Sequence, residues 1–353
     1  MVAKEKPFIA IRLDAGHKRG MGHLFRMMTL AELFKKNGFP CLFIIRANRI
    51  AERILSEKNY SALPFQPEYS ERDIVDQFFK ESIHHPVLWI FDILSTGEEL
   101  VSDVKKRGVP VVCFDDTQGG MGSADLVINA ISGCWSDCIP QNNRILSGPR
   151  YAIIPPKVTS LQMKRKEQTA SGDLVKLGIT MGGSDTHGAT IKISESLNGI
   201  EGLHVYYFLG PHFMHKSELQ NICGQLSFSY FIRHGVQDLH AELIDMDIVL
   251  CGGGQTLFEI CAMGGTILAL ANEVHEKKTI AYFSKHGACI DLGYVKGKIH
   301  SKNMKTLIDG FRRDPEKATQ LGTRAKQLVD GKGLERCYKK CIQLINTTES
   351  KVC

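Results

Sequence analysis

The chain has 353 residues, 43% of them hydrophobic and 23% charged, with a net charge of +6. That length is generous for one core and comfortable for two α/β domains, and the composition excludes disorder. The modest positive charge suits an anionic ligand. With only short basic clusters such as Lys164-Arg165-Lys166 and no basic stripe interleaved with aromatics, nucleic acid is not expected as a partner.

In chain order, the first half alternates strand-like segments (7–14, 40–46, 86–92, 109–115, 125–129) with helix-like ones (22–37, 47–58, 71–83, 96–107). Unbroken apolar runs such as Val87-Leu88-Trp89-Ile90-Phe91 predict parallel strands buried on both faces. Acids close several of these runs, at Asp14, Asp92, Asp115 and Asp116, where the carboxyl ends of parallel strands face a ligand. From 155 to 173 the alternation breaks in a Pro-rich, polar stretch that reads as a linker. It then restarts with strands predicted at 174–182, 203–209, 227–232, 246–251, 266–271 and 288–292. Helices are predicted at 186–198, 215–223, 236–244, 255–264, 275–286, 302–313, 316–329 and 333–346. The fold class is therefore α/β, with two doubly wound Rossmann-like domains, 1–154 and 174–353, joined by the linker and facing a central cleft that is the default ligand site.

Eleven cysteines are scattered, several within apolar runs as Cys113 and Cys251 are; they read as reduced buried thiols. The pairs Cys134/Cys138 and Cys337/Cys341 are too loosely spaced and isolated for zinc. The charged start, Met1 to Lys6, runs straight into a strand, which predicts no signal peptide. No apolar run reaches the roughly 18 to 20 residues of a spanning helix, so no stable membrane insertion and a cytoplasmic location are expected.

Three glycine clusters follow three strands. In the first, Gly20, Gly22, His23 and Arg26 stand where the first strand gives way to the first helix. The glycines allow close backbone approach, and the imidazole, which titrates at about 6.5 when unperturbed, offers a base. The spacing is not that of a dinucleotide fingerprint. Asp14 and Asp92 are candidates to orient His23 or to contact substrate, as are Asp115 and Asp116; each is also the kind of residue that caps a helix or a turn. In the second cluster, Gly182, Gly183 and Ser184 could bring N–H groups and a hydroxyl to a phosphate. In the third, Gly253 and Gly254 lead into Gln255 and Thr256 at a helix start. Glu259, one turn on, could accept both hydroxyls of a ribose. His275 and Glu276 open another helix after a strand end. No metal-ligand constellation and no G-x-S-x-G elbow occurs, so neither a metal nor another cofactor is expected.

Together these residues resemble the UDP-sugar hydrolase of the pseudaminic acid pathway. That family is grouped with glycosyltransferase-like spore-coat polysaccharide proteins and related to the GlcNAc transferase of peptidoglycan synthesis. The resemblance runs from about 8 to 337. It is carried by Gly20 to Arg26, Phe114-Asp115-Asp116 with Ala124 to Asn129, Gly148 to Ile154, Met181 to Asp185, Gly253 to Glu259, and Asp330 to Gly333 with Arg336. It implies a GT-B-like fold, His23 as catalytic base with Asp14 and Asp92 nearby, and Gly182, Gly183, Ser184, Gly253, Gly254, Gln255, Thr256 and Glu259 on the nucleotide. Gly20, Gly22, Arg26, Asp115, Asp116, Tyr151, His275 and Glu276 would lie on the substrate. The chain departs from the family at His275-Glu276, where relatives usually carry Asn-Gln, at Pro155 and Pro156, and in Gln118 to Gly122. The implied activity is metal-independent hydrolysis of a UDP-sugar such as UDP-2,4-diacetamido-2,4,6-trideoxy-altrose, with anomeric inversion, in surface-glycan or nonulosonic acid biosynthesis. Two alternatives stay open: transfer to a sugar or lipid hydroxyl, and nucleotide-sugar binding without turnover.

Overall fold

In the computed structural model, the described residues are 7–15, 21–93, 95–134, 144–163, 174–236, 238–299 and 301–352. They form two compact units, one of residues 1–153 with 332–353 and one of residues 154–331.

The first unit is built on seven strands, β1 (Ile9–Leu13), β2 (Cys41–Arg46), β3 (Ser61–Phe65), β4 (Leu88–Asp92), β5 (Val111–Phe114), β6 (Leu126–Asn129) and β7 (Ile145–Ser147). All are parallel, in the order β3-β2-β1-β4-β5-β6-β7. Both faces are covered, which is why the strands read as continuous apolar runs. Along β4, Leu88 and Ile90 enter one core with Ile9, Ile11 and Leu13 of β1; Trp89 and Phe91 enter the core on the opposite face. Helix α1 (Gly22–Lys36) buries Leu24, Met27, Leu30, Ala31 and Phe34 at helical spacing. Lys35 and Lys36 complement its dipole at the C-terminal end. It is followed by α2 (Arg49–Glu57), α3 (Glu71–Glu81), α4 (Glu98–Lys106) and the short α5 (Gly120–Ser123). Two strands lie beyond the sequence expectation. β3 contains Pro64, which cannot donate to a ladder and is tolerated because β3 is the sheet edge. β7 has three residues, too few to show a period.

The second unit holds α6 (Pro156–Thr159) and six strands: β8 (Val175–Thr180), β9 (Leu203–Leu209), β10 (Ser229–His234), β11 (Ile248–Cys251), β12 (Ile267–Ala271) and β13 (Ile290–Tyr294). They too are all parallel, ordered β10-β9-β8-β11-β12-β13. The intervening helices are α7 (Ala189–Leu197), α8 (Lys216–Cys223), α9 (Leu239–Leu243), α10 (Gln255–Met263) and α11 (Glu276–Lys285). α12 (Ser301–Arg313) and α13 (Pro315–Leu328) close the unit. Both sheets thus have the doubly wound order that the sequence predicts. Pro155-Pro156 opens α6 within this unit instead of a linker; 164–173 lies outside the described residues.

The last helix, α14 (Gly333–Val352), corrects the expected boundary at 353: it packs on the first unit. Leu334, Cys337, Cys341 and Ile345 form a stripe inside the core of α1, and Phe34 and Tyr338 lie 5.4 Å apart between ring centres. The nine described cysteines, these two among them, are buried thiols; Cys138 lies outside the described residues. Gly333 makes the docking possible, because a Cβ there would lie 2.0 Å from the Ala152 carbonyl oxygen. Alanine ordinarily favours a helix over glycine. Here Gly333→Ala is expected to destabilise the protein by about 1–3 kcal/mol through overpacking, measured by urea denaturation. A stabilised variant would show that α14 does not seat there.

Candidate active site

In each sheet the chain reverses its direction of winding between two central strands, β1 and β4 in the first unit and β8 and β11 in the second. Loops at the carboxyl ends of such strand pairs diverge and leave a crevice for a ligand.

In the first unit, His23 is the second residue of α1 and Asp92 the last of β4. His23 Nδ1 lies 2.8 Å from Asp92 Oδ1. The carboxylate is an acceptor, so Nδ1 carries the hydrogen and Nε2 is the nitrogen left with a lone pair. Asp92 is wholly buried and owes its charge to Arg26, which stands one turn beyond His23 and donates from Nε to Asp92 Oδ2 at 2.8 Å and from Nη2 to Oδ1. Burial pushes the Asp92 carboxyl upward, but the charge of Arg26 and the hydrogen bonds from Arg26 and His23 more than reverse this, to about 2. Arg26 is itself buried, which works against its charge; Asp92 and Asp115 overcome this and raise it above the ordinary guanidinium value. Its second partner, Asp115, follows β5 in a left-handed conformation (φ +48°). Asp115 Oδ1 accepts the N–H groups of Ile131 and Ser132 at 2.7 and 2.8 Å.

The structure therefore brings together His23, Asp92, Arg26 and Asp115. Arg26, expected on the substrate, spends its donors on the two carboxylates. Asp14 stands apart from this group. It pairs with Arg12 at 2.7 Å and with Arg46 at 3.6 Å, in a network that Glu71 completes through Arg12. Asp116 Oδ1 accepts the N–H groups of Thr96 and Gln118, which tie two loops, and burial raises its carboxyl. Tyr151 packs beside α14, its carbonyl oxygen 3.3 Å from Cys337 Sγ. Gly22 opens α1; Gly20 lies outside the described residues.

In the second unit the two glycine loops differ. After β8, Gly182 has φ +78° with open space where a Cβ would be, and Ser184 is buried with Oγ 3.4 Å from Thr186 Oγ1. Gly183 and Gly182 turn their carbonyls against Gly210. The helix that follows is already capped: Asp185 Oδ1 and Oδ2 accept the N–H groups of Ala189 and Thr190 at 2.7 and 2.9 Å. An anion at the start of α7 would meet this carboxylate. After β11 the case is opposite. Gly254 precedes α10, no side chain caps that helix, and its first turn holds no acid. Its N-terminal N–H groups suit an anion. A Cβ on Gly253 would lie 2.8 Å from the Glu276 carbonyl oxygen, so only glycine fits.

Glu276 stands beside this loop, its Oε1 3.3 and 3.5 Å from where Cβ atoms on Gly252 and Gly254 would be. Oε2 accepts the Asn272 and Glu273 N–H groups at 2.7 and 3.2 Å. Burial raises its carboxyl against these hydrogen bonds. His275 is exposed immediately before α11. Glu259, buried on α10, has Oε2 2.8 Å from His240 Nε2 and Oε1 3.3 Å from Gln255 Nε2. His240 escapes sequence reasoning: no glycine, acid pair or strand end flanks it. Among the described residues, no group of three His, Cys, Asp or Glu could hold a metal ion, and no helix is long and apolar enough to cross a membrane.

Two doubly wound parallel sheets in one chain give the protein the GT-B fold. The chain is 26% identical over 338 residues to the spore coat polysaccharide biosynthesis protein SpsG of Bacillus subtilis (strain 168), covering 93% of this chain and 96% of that protein. Among solved structures, it is similar to MurG of Acinetobacter baumannii, with TM-score 0.67 and 12% identity over 96% of this chain and 100% of that one. CalG4, the calicheamicin glycosyltransferase, gives TM-score 0.62 and 10% identity over 98% of each chain. These structural likenesses are of fold. No family model matches the chain.

The buried charges make a direct test. Asp92→Asn removes the main partner of a buried guanidinium and is expected to cost about 3–5 kcal/mol in urea denaturation. The folded Asp92 value lies below that of an unfolded aspartate, so its contribution is present above about pH 4 and lost as pH falls toward 2. The variant should therefore lose less stability than the wild type between pH 5 and 3. An equal acid loss in both would remove Asp92 as the keystone.

Proposed function

We propose that the protein transfers a sugar from a nucleotide diphosphate donor, UDP-linked by our reading, to a hydroxyl acceptor, with inversion at the anomeric carbon. The observation that carries this is the His23–Asp92 pair. Asp92 fixes the ring so that Nε2 takes the acceptor's proton as its oxygen attacks the anomeric carbon. The bond from that carbon to the β-phosphate oxygen breaks, and the nucleotide leaves with the electron pair. The second unit would hold the nucleotide: the N–H groups at the start of α10 near the diphosphate, with the Gly182–Ser184 loop beside it, and Glu259 on the ribose. The first unit would supply the base His23 and bind the acceptor. His275 and Glu276 would face sugar hydroxyls.

The same base could serve water, as the resemblance to the UDP-sugar hydrolase implies. An alcohol acceptor is preferred because the name of SpsG speaks of polysaccharide biosynthesis and those of several fold neighbours of glycosyl transfer, while other fold neighbours are UDP-N-acetylglucosamine 2-epimerases.

The test is a panel of UDP-, dTDP- and GDP-sugars followed by NMR, with and without added hexosamines and lipid-linked sugars. Nucleotide release only with an acceptor supports transfer; release in buffer alone supports hydrolysis; neither release nor binding overturns both. His23→Ala is expected to lower kcat by about 100- to 10,000-fold while UDP affinity changes only a few-fold. A variant with unchanged kcat would overturn the base assignment.

A further inference from the structure

We infer that His240 is a positioning residue that aims the Glu259 carboxylate at a ribose diol and so selects ribonucleotide over 2′-deoxyribonucleotide donors. This rests on the nucleotide reading of the second unit.

A carboxylate offers about four acceptor directions, two on each oxygen. At Glu259 one on Oε2 is taken by His240 Nε2 at 2.8 Å and one on Oε1 by Gln255 Nε2 at 3.3 Å. One direction is left on each oxygen, the number that two adjacent hydroxyls need. Gln255 sits on the same helix as Glu259, and its contact is the longer. A contact between Gln255 and Glu259 alone stays within α10. His240 comes from α9 and joins the two helices. The start of α9, which carries it, is tied down at Asp238: Asp238 Oδ1 accepts the Ala241 N–H at 3.3 Å, and Lys157 Nζ, from α6, lies 2.7 Å from Asp238 Oδ2. α6 in turn packs against α10. Thus α6, α9 and α10 form a closed loop of contacts in which the imidazole is the link to the acid.

The plain alternative is that His240 only ties α9 to α10. The two differ in what they do to nucleotide choice. A tie that loosens when cut weakens every nucleotide alike. A misaimed carboxylate weakens only those that offer it both hydroxyls.

Calorimetric titration of the full chain with UDP, 2′-deoxy-UDP and 3′-deoxy-UDP separates them. The wild type is expected to bind UDP at least about tenfold more tightly than either deoxy form. His240→Ala should weaken UDP about tenfold, which is about 1.4 kcal/mol, and the deoxy forms less than about threefold, so the preference collapses. His240→Gln keeps an N–H at similar reach and should restore most of it. Equal loss for all three ligands in His240→Ala, no loss, or no rescue by His240→Gln would overturn the inference while UDP binding by the wild type keeps the nucleotide reading. A wild type that binds UDP without ribose preference also overturns the inference alone. Failure of the wild type to bind any of the three overturns both.

Discussion

Arg26 is a cation with almost no access to water, held between two carboxylates that are themselves buried. Such an arrangement adds little net stability, because desolvation consumes most of the Coulombic gain. Removing one member is costly, because it strands a charge. The consequence is geometric. Arg26 belongs to α1, Asp92 to β4, and Asp115 to the turn after β5, which also takes the backbone N–H groups of Ile131 and Ser132. Four segments separate in sequence are locked to one guanidinium. The imidazole of His23, one turn from Arg26 on the same helix, is oriented by the carboxylate that Arg26 keeps charged.

The second unit uses the same strand order for different chemistry. Where the first places ionised side chains at the reversal point, the second places backbone donors. Of its two glycine loops only one leaves a helix start open. Asp185 fills the N–H groups of α7, and the resulting negative charge sits where a phosphate would otherwise bind; the glycine before α10 leaves that helix uncapped. So the Gly182–Ser184 loop can offer its own backbone groups, but the dipole that favours an anion is that of α10.

Much of this was legible in sequence, for identifiable reasons. Continuous apolar runs gave the buried parallel strands, and strand-end acids marked the carboxyl edge of the first sheet. His23 was visible through its glycine neighbours. What failed needed partners distant in the chain. Asp14 and Asp92 look alike as acids ending apolar strands, yet Arg12 and Arg46 claim one and His23 with Arg26 the other. Arg26 reads as a ligand residue until its two carboxylates are seen. The helix at 333–346 was evident from its period, but its apolar stripe of Leu334, Cys337, Cys341 and Ile345 does not say which sheet it covers. His240 has no local signal at all, since its significance lies in an acid nineteen residues away across a strand.

On the proposed function, Glu276 would limit how a diphosphate uses the open helix. At about 4 Å and an effective dielectric constant of about 20, a charged carboxylate opposes a phosphate charge by about 4 kcal/mol. The helix terminus returns about 0.3–2 kcal/mol. A phosphate close to an ionised Glu276 would lose more than the helix offers, even though the carboxylate's charge is partly satisfied by the N–H groups of Asn272, Glu273 and Gly253. Two arrangements remain favourable. Either the diphosphate lies toward Gln255 and Thr256, leaving the Glu276 side for neutral hydroxyls, or the carboxyl takes up the proton that its burial already favours. The first would place sugar hydroxyls rather than phosphate oxygens against Glu276; the second would give it a hydrogen to donate to either. On the proposed function, an ionised Glu276 would thus set the sugar end of a donor on its own side of the loop and the diphosphate toward Gln255.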